Sequence, residues 1–527
     1  MTRSVYENGV VTSPHYLASR SGRDVLQDGG SAVEAAVAIA ATLAVVYPHM
    51  TGLGGDSFWL VRSPDGDMFT VDACGGAGEQ VSLETYAHAK LETIPFRGPL
   101  AAITVAGTIS GWARVLAETN SSIPISRLVR DAVRYAEEGV SVTQSGADIA
   151  ASKDAELAPN ETYAKIFRPN GRPLLAGDIL RQPALADTLK RLATNGLQDF
   201  YDGEIAMDII ADLEAAGSPL TAADLAGHQT QKALPLSVRA LNTDLFNFPP
   251  PTQGLSSLLI LALFDRLNVK DGEGFAYIHG LVEATKQAFG LAREIELGDP
   301  GLMLRDAQAV LNDGALLDKL AAAIDPSVAE PWPRRTEAGD TTWFGAMDND
   351  GWSVSAIQST YFEFGSGVVL PKTGITWQNR GASFALSESG WNALRPGRKP
   401  FHTLNPAMAC FDDGRVMAYG TMGGEGQPQT QAAIFTRYAK HNMDLQAAIS
   451  APRWLLGRTW GATSTSLKLE SRFDDTLIQA LREAGHDVEV LTEFSETMGH
   501  AGALVRHPDG QFEGASDPRS DGEASGW

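Results

Sequence analysis

Cysteine is scarce in this 527-residue chain, which contains Cys74 and Cys410 and no others. Two cysteines are too few for a disulfide scaffold or for a zinc module built from thiolates. A chain of this length buries enough apolar surface to be stable without such cross-links. We therefore expect a fold that needs neither disulfides nor a structural metal ion.

Basic side chains are also in short supply. The sequence has 42 lysines and arginines against 64 aspartates and glutamates, which gives a formal net charge of −22. Proteins that bind nucleic acids without regard to sequence need a net basic surface. The charge balance therefore argues against nucleic acid as a partner, although it leaves room for a local basic pocket that binds a small anion.

Long hydrophobic runs are absent as well. The longest apolar stretch, residues 35–47, is broken by Thr42 and is shorter than the roughly 20 residues that span a bilayer. Residues 1–19 have no apolar core of 7–15 residues after a basic start, so they do not form a signal peptide. These features predict a cytoplasmic protein with no membrane partner.

Several common catalytic motifs are missing, namely H-E-x-x-H, the P-loop and G-x-S-x-G. Their absence removes the main sequence support for a zinc peptidase, an NTPase or an α/β-hydrolase. Residues 348–351 resemble part of a calcium loop, but Ala346 stands where the first aspartate of that loop belongs, so a tight turn fits better. No metal and no organic cofactor is predicted.

The first two thirds of the chain have a mainly helical pattern. Apolar residues at helical spacing predict helices over residues 31–46, 125–139, 181–195, 203–216 and 275–297. A polar stretch with prolines and a glycine, residues 331–340, is typical of an exposed connector. Beyond it the patterns predict strands over 341–347, 352–358, 407–411 and 416–419, and helices over 427–441 and 476–484.

The first two of those strands are joined by a strong turn signal, so we expect a β-hairpin. In the predicted register, Met347 pairs with Trp352. That register places Thr341 opposite Gln358 and beside Ser359. Two hydroxyl groups would then meet at one end of a hairpin, directly after the connector.

Thr341 has two interpretations. A β-branched residue at the start of a strand is common and needs no function. If the peptide bond between Asp340 and Thr341 is cut, however, Thr341 carries a free α-amine with an ordinary pKa of about 7.7–8.0. Such an amine can act as the general base for the adjacent hydroxyl nucleophile without a histidine.

Glycine clusters offer a second feature with two interpretations. Residues 52–56, 365–367 and 420–424 each contain closely spaced glycines, and each can be merely a tight turn. Gly423 and Gly424 are of most interest, because adjacent glycines allow backbone N–H groups to converge on an anion. An oxyanion hole requires that arrangement.

The chain resembles the γ-glutamyltranspeptidase family of N-terminal nucleophile hydrolases. The resemblance rests on many segments that occur in the family's order along essentially the whole chain. They are residues 13–19, 29–36, 48–56, 105–108, 136–139, 200–203, 249–251, 297–300, 340–342, 364–367, 423–424, 451–453, 498–500 and 517–519.

This resemblance implies an α+β fold, a four-layer αββα sandwich with two central sheets. It also implies autocatalytic cleavage before Thr341, which yields a large subunit of residues 1–340 and a small subunit of residues 341–527. The two would remain interlocked as one folded domain, a heterodimer whose further oligomerisation stays open. By position, Thr341 is the nucleophile, Ser359 the hydroxyl that assists it, and Gly423 and Gly424 supply the oxyanion-hole amides.

The sequence departs from the family where transpeptidases bind the glutamyl head group. Cys74 stands in place of the arginine that binds the α-carboxylate. Arg380 replaces a glutamine and Ser383 replaces an acidic residue in the segment that helps bind the α-amine. His402 and Thr403 replace a pair of serines, and Tyr361 replaces an asparagine.

These exchanges indicate a different substrate. Each lost charge-assisted bond removes about 1.5–3 kcal/mol, so a γ-glutamyl group is expected to bind poorly. Arg380 and His402, beside the bulky Tyr361, favour a smaller pocket for a short anionic amide. The pattern resembles the oxamate amidohydrolase branch of the family, which hydrolyses oxamate to oxalate and ammonia in purine catabolism.

Alternatives remain at this point. Arg380 can be an exposed arginine at a strand end, His402 a core histidine, and Cys74 a small buried filler. His15, His49 and His500 lie in family segments and are interpreted as structural. For the whole chain, a γ-glutamyl hydrolase or transpeptidase acting on glutathione-like compounds and an uncleaved, inactive relative are the competing functions.

Overall fold

The computed structural model describes residues 5–295, 297, 301–332, 341–457 and 464–527. Within these residues the strands are β1 Val5–Tyr6, β2 Gly9–Ser13, β3 Asp56–Arg62, β4 Met68–Ala73, β5 Val140–Ser141, β6 Ile179–Leu180, β7 Gln231–Ala233, β8 Leu236–Ala240, β9 Thr243–Asn247, β10 Thr342–Asp348, β11 Ser353–Ser359, β12 Ala407–Phe411, β13 Val416–Thr421, β14 Trp454–Leu456, β15 Leu467–Glu470, β16 Val488–Leu491, β17 Ala501–Arg506, β18 Phe512–Ser516 and β19 Glu523–Gly526.

The helices of the same residues are α1 Tyr16–Gln27, α2 Ala32–Val46, α3 Leu83–His88, α4 Thr108–Glu118, α5 Ile125–Leu128, α6 Arg130–Glu138, α7 Gln144–Ser152, α8 Asp154–Leu157, α9 Glu161–Phe167, α10 Pro183–Asn195, α11 Asp199–Asp202, α12 Glu204–Ala216, α13 Ala222–Ala226, α14 Gly254–Arg266, α15 Phe275–Glu294, α16 Ala307–Asn312, α17 Gly314–Ala322, α18 Gly426–Ala439, α19 Leu445–Ser450 and α20 Asp475–Glu483. Short 3₁₀ turns cover Arg380–Ser383 and Glu496–Met498. None of the helices in the described ranges is long and apolar enough to cross a membrane.

Two large sheets form the centre of the molecule. Sheet I has the strand order β19-β2-β10-β11-β3-β4-β7, and sheet II has the order β1-β18-β17-β13-β12-β9-β8. Their inner faces pack together through residues such as Leu60 and Met347 of sheet I and Met408 and Leu504 of sheet II. The outer face of sheet I packs on α1 and α2, and that of sheet II on α14, α15 and α18. This arrangement confirms the predicted four-layer αββα sandwich.

Helix α2 shows how the local sequence builds the outer layer of sheet I. Ser31 accepts a hydrogen bond from the Glu34 N–H, and the Glu34 carboxylate accepts one from the Ser31 N–H, so the helix starts with a capping box. Every residue from Ala32 to Val46 is buried, and most are small. A helix of small residues can lie close to a sheet, which brings α2 against β10 and β11.

Most predicted helices are present with ends that shift by a few residues. The helix predicted over 125–139 is an exception, because a turn at Val129 (φ −94°, ψ 0°) divides it into α5 and α6. The mainly helical description of the first two thirds was also incomplete. Strands β2 and β3 lie there, and because they are buried on both faces they lack the alternation that identifies a strand.

The predicted register of the β10–β11 hairpin was wrong by one residue. Met347 pairs with Ser353 rather than with Trp352, and Thr342 lies opposite Gln358. The reason is the Asp348 carboxylate, whose Oδ1 accepts hydrogen bonds from the N–H groups of Gly351 (2.9 Å) and Trp352 (3.0 Å) and keeps Trp352 in the turn.

Both sheets interleave strands from before and after the connector. In sheet I, β10 lies between β2 and β11, and β11 pairs with β3. Residues 333–340, which include most of the predicted connector and Asp340, lie outside the described residues. The expected exposed connector and the expected cleavage at that bond therefore stay predictions.

Candidate active site

Four side chains share one row at the end of sheet I. The β11–β3 pairing places Ser359 opposite Asp56. Continuing the β10–β11 register by one residue places Thr341 opposite Ser359, and continuing the β3–β4 register places Cys74 opposite Asp56. Because opposite residues of antiparallel strands project from the same face, Thr341, Ser359, Asp56 and Cys74 form what we call the nucleophile row.

The nucleophile row faces the space between the two sheets. The next side chains along the strands, Trp343, Ile357 and Phe58, are buried in one cluster with Phe248 and Leu404. Thr341 and Ser359 are themselves buried. Thr341 and Ser359 are therefore neighbours, as the sequence predicted, and in the observed register they lie directly opposite each other.

Tyr361 connects the nucleophile row to Arg380. Its N–H donates a 2.8 Å hydrogen bond to Ser359 Oγ, and its ring lies 3.8 Å from the guanidinium carbon of Arg380. The backbone of Tyr361 has a φ of +81°, a left-handed conformation that a bulky residue rarely adopts. Strain of this kind is typical of functional sites. Arg380 is buried, so it is not the exposed strand-end arginine considered from the sequence.

The glycine loop after β13 follows Gly420, which lies against Trp343 of β10, two residues from Thr341. Gly423 and Gly424 have φ values of +115° and +52°, so this turn needs residues without a side chain. Within the described residues, neither of their N–H groups donates a hydrogen bond to the protein. Two unused N–H groups in adjacent glycines match the requirement of an oxyanion hole.

Gln253 fixes this loop to the segment that carries His402 and Thr403. Its side-chain amide donates to the carbonyl oxygens of Thr403 and Gly424, both at 2.7 Å. Sequence reasoning missed Gln253, although it follows the prolines at 249–251 that were recognised as a family segment. Its role depends on a contact between distant segments, which the local sequence does not indicate.

Asp56 is the second residue that sequence reasoning missed. Its Oδ1 accepts hydrogen bonds from the N–H groups of Gly75 (3.3 Å) and Gly107 (3.1 Å) and from Gln378 Nε2 (3.1 Å). Burial raises the pKa of the Asp56 carboxyl to about 7, although the nearby charge of Arg380 opposes that shift. The sequence marked residues 52–56 as a glycine turn, and nothing local indicated that the carboxyl points into the nucleophile row.

His402 lies against Asp56 and Phe58 in the interior. Its Nε2 is 3.7 Å from Asp56 Oδ2, and its ring centroid is 4.8 Å from that of Phe58. Burial holds the pKa of His402 well below its usual value, with Arg380 and Lys399 adding to the effect, so the ring is neutral. The hydroxyl of its neighbour Thr403 is buried without a hydrogen-bond partner in the described part of the chain.

Cys74 and Ser383 have partners or packing of their own. The Cys74 side chain is fully buried in the cluster with Trp343, and burial raises the pKa of its thiol. Ser383 Oγ donates to the Arg380 carbonyl oxygen at 2.9 Å. Cys74 therefore closes the far end of the nucleophile row as a small neutral side chain, and Ser383 stabilises the turn that carries Arg380.

One buried group of His279, Glu283 and His486 has the composition of a metal site. Lys286 Nζ, however, already lies 2.7 Å from Glu283 Oε1, and the two ring nitrogens of His279 contact His486 and the Asp325 carbonyl oxygen. A lysine charge therefore stands where a cation would bind. These residues do not fit a metal ion.

Comparison with known proteins agrees with this geometry. The sequence model of the gamma-glutamyltranspeptidase family matches residues 18–527. An oxamate amidohydrolase proenzyme of Klebsiella pneumoniae is 52% identical, and the alignment covers 99% of each chain. A glutathione hydrolase-like YwrD proenzyme of Bacillus subtilis is 41% identical, with 98% of each chain covered. The crystal structure of a cephalosporin acylase from Bacillus halodurans superimposes with a TM-score of 0.91 at 30% identity, covering 100% of this chain and 97% of that one.

Two stacked sheets between helical layers, with a buried threonine at the start of a central strand, define the class of N-terminal nucleophile hydrolases. Within that class, the chain belongs to the γ-glutamyltranspeptidase family. It is an amide-hydrolysing enzyme.

Proposed function

We propose that the protein hydrolyses a small anionic amide, oxamate, to oxalate and ammonia through an acyl-enzyme on Thr341. The observation that carries this proposal is the buried group around Asp56, where Arg380 supplies a positive charge and His402 Nε2 lies 3.7 Å from Asp56 Oδ2, with both ring nitrogens lacking a hydrogen-bond partner in the described residues. A guanidinium in this buried site suits a carboxylate bonded directly to the carbon of the scissile amide. The 52% identical relative named for oxamate supports the same substrate.

The proposal begins with hydrolysis of the peptide bond between Asp340 and Thr341. This step yields a large subunit of residues 1–340 and a small subunit of residues 341–527, and it leaves an α-amine on Thr341. The proenzyme names of the relatives support such processing. We propose that the two subunits remain one heterodimeric folded unit.

In the catalytic cycle, the Thr341 amine takes the proton of its own hydroxyl as Oγ attacks the amide carbon. The N–H groups of Gly423 and Gly424 donate to the resulting oxyanion, and Ser359 lies beside the attacking oxygen. The carbon–nitrogen bond then breaks as the amine proton moves to the leaving nitrogen, and ammonia departs. Water hydrolyses the ester and releases oxalate.

Substrate selection follows from the pocket's contents. Arg380, held by the Tyr361 ring, binds the carboxylate, and we assign the buried His402, Thr403 and Ser383 to the same pocket. Cys74 provides no charge for the head group of a γ-glutamyl substrate. A cytoplasmic location and a part in purine breakdown belong to this proposal through the oxamate resemblance.

The test compares two substrates on the processed enzyme. We expect ammonia release from oxamate and little p-nitroaniline release from γ-glutamyl-p-nitroanilide. Activity confined to the anilide would instead support the second candidate, a γ-glutamyl hydrolase, which the 41% identical glutathione hydrolase-like relative favours.

Electrophoresis tests the processing step separately. Wild-type protein should give two bands, whereas Thr341→Ala should give one band and release no ammonia. Wild-type protein that stays a single band would refute the nucleophile assignment and favour an inactive, uncleaved relative.

A further inference from the structure

One carboxylate oxygen of Asp56 accepts hydrogen bonds from the protein, and the other does not. Three donors hold Oδ1, while Oδ2 is buried without a hydrogen-bond partner in the described residues. Both ring nitrogens of His402, 3.7 Å away, are buried and unpartnered in the same way. Buried polar atoms normally have partners, so these orphaned atoms mark a place where a ligand or a proton can supply the missing hydrogen bond.

The charges around Asp56 balance when its carboxyl is ionised. Arg380 is positive, and Lys399 is neutralised by Asp72, whose Oδ2 lies 2.9 Å from its Nζ. Three other titratable neighbours are neutral, because burial lowers the pKa of His402 and raises the pKa of Cys74 and Tyr201. The remaining titratable neighbour is the α-amine that the proposed cleavage leaves on Thr341. Arg380 therefore offsets the charge of Asp56 when no substrate is bound.

An anionic substrate disturbs that balance. If a carboxylate binds Arg380 while Asp56 stays ionised, the buried site holds one uncompensated negative charge. A buried uncompensated charge is costly, and the usual outcome is a change in protonation. The group best placed to change is Asp56, since its free oxygen is the one without a donor.

We propose that Asp56 Oδ2 takes up one proton from solvent when an anionic substrate binds, and that this proton uptake lets the pocket accept a carboxylate beside Arg380. This inference rests on the proposed function and adds a specificity-determining residue to it. The protonated carboxyl presents a hydrogen-bond donor to the pocket in place of a negative charge. Overall, enzyme, anion and one proton combine, so charge is conserved in the buried site.

The pH dependence has a defined sign. Below about pH 7 the Asp56 carboxyl of the free enzyme is already protonated, since burial raises its pKa to about 7, and affinity for the anion should not change with pH. Above that pH a proton must be taken up on binding. The KM for oxamate should then rise about tenfold per pH unit.

Asp56→Asn is the informative variant. Its amide oxygen can keep the three hydrogen bonds of Oδ1, and its amide NH₂ supplies a fixed neutral donor toward His402. In this variant the tenfold rise of the KM for oxamate per pH unit above about pH 7 should disappear. Asp65→Asn is the matched control, because Asp65 is exposed in the turn of the same β3–β4 hairpin.

Calorimetry of oxalate binding in two buffers of different ionisation enthalpy counts the protons. At about pH 8.5, processed wild-type enzyme and Asp65→Asn should take up about one proton more per oxalate than Asp56→Asn. Equal uptake by all three proteins would overturn the proposal while leaving the oxamate function intact. Absence of both oxalate binding and ammonia release would overturn the proposed function as well.

The wild-type profile alone keeps the proposal testable if Asp56→Asn fails to fold or to process. A KM for oxamate that stays flat from about pH 7 to pH 9 excludes proton uptake on binding. A KM for oxamate that rises tenfold per pH unit supports proton uptake, provided that Asp65→Asn takes up as many protons per oxalate as wild type.

Discussion

Arg380 depends for its position on a residue that also touches the nucleophile's partner. The Tyr361 ring supports the guanidinium, and the Tyr361 N–H bonds Ser359 Oγ. In the proposed mechanism, substrate recognition by Arg380 and assistance by Ser359 therefore share a single strained residue. At the residue scale, binding and chemistry should be separable by mutation, because Arg380 contacts the Tyr361 ring whereas Ser359 contacts the Tyr361 backbone N–H.

Arg380→Ala should raise the KM for oxamate by about 10- to 150-fold, which corresponds to losing one charge-assisted interaction of about 1.5–3 kcal/mol. Arg380→Lys should recover part of the affinity, because it keeps the charge but loses the planar fork. Steady-state kinetics measures both. Arg130→Ala, an exposed arginine on α6, serves as control, and an unchanged KM in Arg380→Ala would remove Arg380 from the substrate pocket.

Gly423→Ala tests the oxyanion hole. An alanine at a φ of +115° is strained, so the N–H at this turn should move, and kcat should fall about 10²- to 10³-fold with a small change in KM. Gly414→Ala is a matched control, since Gly414 has a φ of +90° in the exposed β12–β13 turn. Equal losses of kcat in the two variants would indicate a general folding defect rather than a lost donor.

At the scale of elements, Trp343 holds β10 against sheet II. A Cβ at Gly420 on β13 would lie 2.2 Å from Trp343 Cδ1, and one at Gly502 on β17 would lie 2.5 Å from Trp343 Cζ3. The indole thus fills a recess made by glycines of two strands. Because Trp343 is two residues from Thr341, we expect this recess to position the start of β10 relative to the glycine loop after β13.

Gly420→Ala should therefore destabilise the protein by about 1–3 kcal/mol, since it overpacks this recess, and should also slow processing at Thr341. Denaturant unfolding and electrophoresis after timed incubation measure the two effects. Gly314→Ala is the control, because an added Cβ there meets nothing within 4 Å. If Gly420→Ala is as stable and as fully processed as the control, the recess does not position β10.

The hairpin illustrates what the sequence can and cannot predict. Alternation and turn residues predicted β10 and β11 nearly to the residue, but the Asp348 hydrogen bonds moved the register by one. The resemblance supplied the four layers and the candidate residues Thr341, Ser359, Gly423 and Gly424. Asp56 was missed because its role arises when β3 pairs with β11, and no local pattern encodes which distant strands pair.

At the scale of the whole molecule, buried histidines make stability depend on pH. Burial lowers the pKa of His15 and His49 to about 3 and that of His500 to about 4. Below the ordinary histidine pKa of about 6.5 the unfolded chain binds protons that the folded chain excludes. Stability contributed by these groups is therefore lost as pH falls from about 6.5 toward 4.

His500→Asn isolates this effect, because its amide can replace the 2.9 Å bond between Nδ1 and the Tyr47 hydroxyl. Between about pH 7 and pH 5 the Tm of wild type should fall more steeply than that of the variant. The buried carboxyls of Asp56 and Glu496, with pKa values raised to about 7, act in the opposite direction but equally in both proteins. Parallel Tm curves would show that His500 does not contribute.

The interleaving of the two segments decides how the processed enzyme behaves. Strands from residues 341–527 pair with earlier strands at β2–β10, β2–β19 and β3–β11 in sheet I, and at β1–β18 and β9–β12 in sheet II. Separating the proposed subunits therefore breaks both sheets and exposes the layer between them, which is equivalent to unfolding. A tag on the small subunit should retain the large subunit through dilution and high salt, and the two should unfold together in one denaturant transition. Release of a folded large subunit by salt alone would contradict the proposed interlocked heterodimer.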